Sequence, residues 1–258
     1  VAKRKKSPNI KIEIIGSTSS GKTTFGKELV LGCKAEGLLI EANKIGCAEQ
    51  FGYSALAPKK SLGKPKWLRI LSVLWNDLVI LPRIIAQLVS DPRLYSKLFL
   101  SCLRRHDTIF KRINFFRNLI KRNTAYAMVQ SKNKVHIIFD EGPFHAFTSV
   151  FAHYNDSPNI VLIESLADKV RQCDLIIHLD LSDEIVVQRA FKRSDAPWTD
   201  LSKKQWITLK QNTEIIYEKI LKANTKIGAN KDKSIIKLSG PQYNTAEIVD
   251  WLVRHSQI

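Results

Sequence analysis

Gly16-Ser17-Thr18-Ser19-Ser20-Gly21-Lys22-Thr23 follows the pattern G-x-x-x-x-G-K-[ST] of phosphate-cradling loops. The residues before it, Ile10-Lys11-Ile12-Glu13-Ile14-Ile15, are isoleucine-rich and alternate, which predicts a buried strand. The residues after it, Thr24 to Ala35, carry Phe25, Leu29 and Val30 at helical spacing. Strand, glycine loop and helix N-terminus is the context the pattern requires.

The residue types dictate the chemistry. Gly16 and Gly21 permit backbone angles that a side chain forbids. The N–H groups of Ser17, Thr18, Ser19, Ser20, Lys22, Thr23 and Thr24 can then wrap a phosphate, aided by the positive end of the helix dipole. Lys22 is placed to reach β- and γ-phosphates, and the Thr23 hydroxyl to bind Mg²⁺. The expected ligand is a nucleoside triphosphate.

A chain of 258 residues can bury a full core, and 44% hydrophobic with 25% charged residues is a soluble globular composition. The longest apolar tract, Trp67 to Val89, is broken by Arg69, Asp77, Pro82 and Arg83, which argues against a spanning helix. A core or interfacial helix pair is the expectation. Cys33, Cys47, Cys102 and Cys173 have no C-x-x-C spacing, so free buried thiols in a reducing compartment, the cytoplasm, are expected. Residues 1–9 form a basic tail around Lys3-Arg4-Lys5-Lys6, without the apolar run of a secretory signal.

The net charge of +17 is unevenly spread. Between Lys44 and Lys134, eighteen Lys and Arg face only Glu49, Asp77, Asp91 and Asp107. Such an excess implies an anionic substrate, nucleic acid or an anionic membrane as partner.

Further along, Leu38-Leu39-Ile40 reads as a short second strand ending at Glu41 and Asn43, either substrate contacts or ordinary loop. Gly46, Gly52, Pro58, Gly63 and Pro65 predict loop, and a basic helical insertion fills the rest of about 45–133. Within it Pro82 interrupts or kinks one helix, and Asp91-Pro92 starts another. The strand at 135–139 closes on Asp140-Glu141-Gly142-Pro143. Asp140 is the expected Mg²⁺ ligand; Glu141 either accepts a proton from an attacking hydroxyl or is a solvated loop acid. His145 and His153 are two helical turns apart, too far for a metal pair, and packing or surface roles are expected. A strand at 175–180 leads to a helix bearing Arg189 and Arg193, either lid residues that neutralise phosphoryl charge or solvated arginines. A long helix follows from Leu201 to Asn224, then a last strand at 234–238, Ser239-Gly240-Pro241, and a C-terminal helix from about Thr245.

This ordered set resembles the nucleotide- and nucleoside-kinase branch of the P-loop proteins, and thymidylate kinase-like proteins in particular. It covers the loop, Asp140-Glu141, Leu175 to Arg193 and Ser239-Gly240-Pro241. The resemblance implies that this last loop lines the base of ATP. It departs at the long basic insertion and at Asp140-Glu141, where thymidylate kinases carry Asp-Arg. The expected fold is a three-layer α/β/α sandwich around a mainly parallel five-stranded sheet, one domain from 10 to 258 with the helical insertion, and with the first strand beside the one ending at Asp140. The expected activity is ATP- and Mg²⁺-dependent phosphoryl transfer to a small anionic acceptor: a nucleotide, nucleoside or sugar phosphate. The alternative is a nucleotide-dependent switch acting on nucleic acid or an anionic membrane. A GTPase is excluded, because Asn43-Lys44-Ile45-Gly46 lacks the base-reading Asp and comes too early. Leu238-Ser239-Gly240-Pro241-Gln242 mimics a transporter signature but falls after the last acidic strand.

Overall fold

The computed structural model describes residues 10–38, 40–43, 78, 81–104, 108–128, 136–139, 142–167, 173–192, 201–227, 234–240 and 243–256. They form two compact units, Val1–Asn43 with Ser131–Ile258, and Lys44–Gln130.

The first unit is built on five parallel strands: β1 (Lys11–Gly16), β2 (Ile40–Asn43), β3 (His136–Phe139), β4 (Leu175–Asp180) and β5 (Ser234–Ser239). Their order across the sheet is β2-β3-β1-β4-β5. β1 is central, with Glu13 opposite Phe139 of β3 and Ile176 of β4. Both of its faces are buried, which is why the strand tolerates so many isoleucines.

Successive side chains of β1 point to opposite faces. Ile12 and Ile14 join Phe25, Leu29 and Cys33 of helix α1 (Lys22–Ala35) in one buried cluster with Ile248, Val249 and Leu252 of the C-terminal helix (Ala246–Ser256). Burial pushes the Cys33 thiol up to about 11, so it is an inert core residue. Glu13 faces the other way, toward the helix Pro143–Phe151. A parallel sheet between two helical layers, with a glycine loop after the central strand, is the three-layer P-loop architecture.

Two sequence expectations move. The second strand is Ile40–Asn43, not 38–40. Gly37 has φ 74°, and the Leu38 N–H donates to the Cys33 carbonyl, so residues 36–38 are spent closing α1. The helix starting at Pro143 ends at Phe151, so His153 lies beyond it and does not share a helical face with His145. A helix at Ile160–Ala167 was not anticipated. The basic tail, 1–9, lies outside the described residues.

The described residues of the second unit are helical: α2 through residues 81–90, α3 (Pro92–Leu103) and α4 (Ile109–Met128). Asp91 caps α3 by accepting from the Leu94 N–H at 3.0 Å, with Pro92 at the first helical position. The Thr124 hydroxyl of α4 donates to Gln87 Oε1 of α2. Arg112 Nη1 of α4 donates to the Leu103 carbonyl at 2.7 Å, and Phe99 meets Phe116 edge-on. Among the described residues, no helix is long and apolar enough to cross a membrane.

One buried histidine gives the fold a pH signature. The Ile10 N–H donates to Nδ1 of His136, which must therefore be unprotonated there, and burial lowers its pKa below 6.5. As pH falls through 6.5 the unfolded chain takes up a proton that the folded chain refuses. Stability is therefore fully present above that value and is lost progressively down to the lower folded pKa. Urea melts at pH 7.5 and at about 5.5 should show the loss, and His136→Gln should flatten it.

Candidate active site

The loop after β1 is folded as its residue types require. Gly16 (φ 152°), Ser19 (φ 68°) and Gly21 (φ 93°) all lie at positive φ. A Cβ on Gly16 would stand 2.7 Å from both the Leu179 carbonyl and Ser20 Oγ, so only glycine fits between β4 and the loop. Gly21 occupies the N-cap of α1 without a side-chain cap, and the first turn of α1 carries no acid. Its N-terminal N–H groups thus have no competing anion on the helix itself.

The hydroxyls of Ser17, Ser19 and Ser20 are buried and have no hydrogen-bond partner among the described residues. Leaving three such groups unpaired is costly unless an acceptor-rich ligand enters. Lys22 is itself buried, and Nζ donates to the Gly16 and Ser17 carbonyls, each at 2.9 Å. This holds the ammonium over the loop. Exchanging one carbonyl for a phosphate oxygen needs only a small shift of its head. The donors and the charge fit a triphosphate. Thr23 is exposed in the first turn of α1.

Arg189 stands on the helix Asp183–Lys192, whose Val186, Val187 and Ala190 are buried. Its Nη1 lies 3.5 Å from the Ser20 carbonyl, and 3.2 Å from where a Cβ on Gly21 would be. The helix is fixed at its start. Lys210 Nζ lies 2.9 Å from Asp183 Oδ1, and Gln211 donates to Asp183 Oδ2 at 3.0 Å. Both come from the long helix Lys203–Ile227. Beside them Asp180, at the carboxyl end of β4, pairs with Lys237 of β5 at 2.9 Å. Burial opposes ionisation of Asp180, but Lys237, Lys210 and His178 outweigh it and hold the carboxyl below its usual range.

Two groups not foreseen from sequence support the loop from below. Tyr217 is fully buried; its hydroxyl donates to the Gly16 carbonyl at 3.4 Å and lies 3.3 Å from His145 Nδ1. Burial, with Glu214 and Glu13 nearby, raises its pKa, so it remains a neutral phenol. His178 Nε2 lies 2.7 Å from Glu214 Oε2. Glu13 is the second. Its carboxyl, 0% exposed, accepts from the Phe144 and His145 N–H groups at 3.3 and 3.0 Å, and from the Cys173 thiol. It therefore caps the helix that follows Asp140-Glu141-Gly142.

Of the residues expected at the site, the loop, Lys22 and Arg189 are brought together. Ser239 ends β5 opposite Asp180, and Gly240 follows at φ 122°. Asp140, Glu141, Arg193 and Pro241 lie outside the described residues. The His153 carbonyl accepts from Asn212. Among the described residues no cluster of His, Cys, Asp and Glu could by itself hold a metal ion.

By sequence the chain matches no protein-family model and no curated protein. Among solved structures it is similar to a deoxyadenosine kinase from M. mycoides with bound dCTP, at 16% identity and TM-score 0.48, over 96% of this chain and 100% of that one. The same enzyme with bound dATP gives 17% identity and TM-score 0.49, over 95% and 98%.

Proposed function

We propose that this chain is a kinase that transfers the γ-phosphoryl group of ATP to a small, anionic acceptor such as a nucleotide or a sugar phosphate. The observation that carries this reading is the loop itself: three buried serine hydroxyls with no partner among the described residues, a lysine ammonium held on the loop's own carbonyls, and an arginine from a separate helix against the same loop.

The backbone N–H groups of residues 17–24 and the serine hydroxyls receive the β- and γ-phosphates. Lys22 exchanges a loop carbonyl for a phosphate oxygen and follows the charge as it moves toward the β–γ bridge. Thr23 and Asp140 would hold Mg²⁺, which supplies further neutralisation of the phosphate oxygens. Glu141 takes the proton from the acceptor hydroxyl as that oxygen bonds to the γ-phosphorus. The bond to the bridging oxygen breaks in line, and ADP leaves. Arg189, with Arg193 at the end of the same sequence segment, neutralises the equatorial oxygens of the transferring group. Ser239, Gly240 and Pro241 bracket the base. The acceptor carries phosphate or carboxylate, matching the excess of Lys and Arg in the insertion.

The test is a screen of acceptor pools with ATP·Mg²⁺ by mass spectrometry. The expected result is one acceptor class gaining a single phosphoryl group, with ATP consumption slow in its absence. Hydrolysis stimulated only by a polymer or lipid, with no phosphorylated product, would replace the kinase with a switch.

Arg189 gives a sharper prediction. If it serves mainly the transition state, Arg189→Ala lowers kcat by about a hundredfold while ATP binding weakens much less. Steady-state kinetics with calorimetric ATP titration separates the two. An unchanged kcat would leave Arg189 as a lid strut.

A further inference from the structure

Helix α2 carries an exposed apolar face that no described residue covers. Leu81, Ile85 and Val89 recur every four residues and are 43%, 51% and 72% exposed. Leu78, also helical, is 58% exposed. At 3.6 residues per turn these four fall on one side of the helix. Gln87 stands on the opposite side, and it is the residue that meets Thr124 of α4. The helix is therefore anchored by its back, and its apolar front faces away from the helix it packs on.

The charge of the unit that carries this face narrows what can cover it. The unit Lys44–Gln130 holds sixteen Lys and Arg against four acids, and one of those, Asp91, is engaged as the cap of α3. Arg93 and Lys97 on α3 are exposed, as are Arg83, Arg104 and Lys111. A second copy of the unit would bring two strongly positive bodies together. Nucleic acid would match the charge but offers no apolar surface for Leu81, Ile85 and Val89. A lipid surface with anionic headgroups matches both, because acyl chains lie just beneath the phosphates.

We propose that the Lys44–Gln130 unit docks on an anionic membrane surface. The Leu81–Ile85–Val89 face of α2 lies in the headgroup boundary, parallel to the membrane plane, and the exposed Arg and Lys side chains meet lipid phosphates. This anchoring does not depend on what the nucleotide site does.

The experiment is cosedimentation of the full chain with vesicles of phosphatidylcholine alone, or with about a third phosphatidylglycerol. Binding to the anionic vesicles is expected, much weaker binding to the neutral ones, and a loss of affinity as salt is raised. Ile85→Ser with Val89→Ser should lower the partition roughly tenfold or more without changing the thermal melt, because both side chains are largely exposed. Arg93→Glu with Lys97→Glu should lower it as well and reduce its salt dependence. Four outcomes would overturn the proposal. They are no binding to either vesicle, equal binding to both, an unaffected Ile85/Val89 double variant, or a double variant whose defect is instead loss of a dimer in sedimentation equilibrium. Tight, salt-sensitive binding to a random-sequence RNA, with none to vesicles, would assign the unit to nucleic acid.

Discussion

Lys22→Ala should lower acceptor-dependent ATP consumption by roughly a hundred- to a thousandfold. The ammonium acts in a partly water-excluded cradle, where one such contact is worth about 3–4 kcal/mol in the transition state. The structure adds a reason to expect the fold to survive. Nζ donates to the Gly16 and Ser17 carbonyls, both in the loop, and Gly16 keeps the Tyr217 hydroxyl when the lysine is gone. Thermal melts with and without millimolar ATP·Mg²⁺ provide the control. Wild type should gain stability by mass action and the variant much less, with the two ligand-free melts close together. A wild type that gains nothing from ATP or GTP would remove the basis for a nucleotide site.

The second large effect joins Glu13 and Gly142. The backbone of Gly142 has φ −87°, open to any residue, so the glycine is required by close approach alone. A Cβ there would stand 2.5 and 2.7 Å from the two carboxyl oxygens of Glu13. Gly142→Ala should therefore destabilise the fold by about 3 kcal/mol. Glu13→Ala should cost a similar amount, roughly 2–4 kcal/mol, by orphaning the Phe144 and His145 N–H groups and leaving a cavity. The two losses should not add. With the carboxyl removed, the new methyl enters the space it vacated, and the double variant should be more stable than the sum by about 2–3 kcal/mol. Urea unfolding of the four proteins measures this directly. Strict additivity would mean that Gly142 is held by something other than Glu13.

This pair also shows what a sequence conceals. Gly16 and Gly21 were legible because their demand is local: a loop between strand and helix needs positive φ at fixed positions. The isoleucines of β1 were legible as a buried strand for the same reason. Glu13 sits among them, and the N–H and thiol donors its carboxyl accepts from are 131, 132 and 160 residues away. A charged residue in the middle of a strand with two buried faces is itself a signal, since it must find donors from the layer it faces. Which donors cannot be read without the topology. Tyr217 is more hidden still. It occupies a core position on a long helix, and only the fold places its hydroxyl against Gly16, 201 residues earlier. The second strand moved from 38–40 to Ile40–Asn43 because Gly37 closes the preceding helix and consumes the residues that looked extended.

The central place of β1 has a price in time. Its neighbours β3 and β4 pair with it across more than 120 and 160 residues of chain. At synthesis rates of about 5–20 residues per second, Ile137 emerges roughly 6–25 s after Lys11, its partner in the sheet. Throughout that interval Ile12, Glu13, Ile14 and Ile15 have neither edge paired. The helices α3 and α4 are made in the same interval and pack on each other close in sequence, so they can order first. The nascent chain therefore carries its central strand unpaired for seconds. Its isoleucines stay exposed to non-native association until the partner strands arrive.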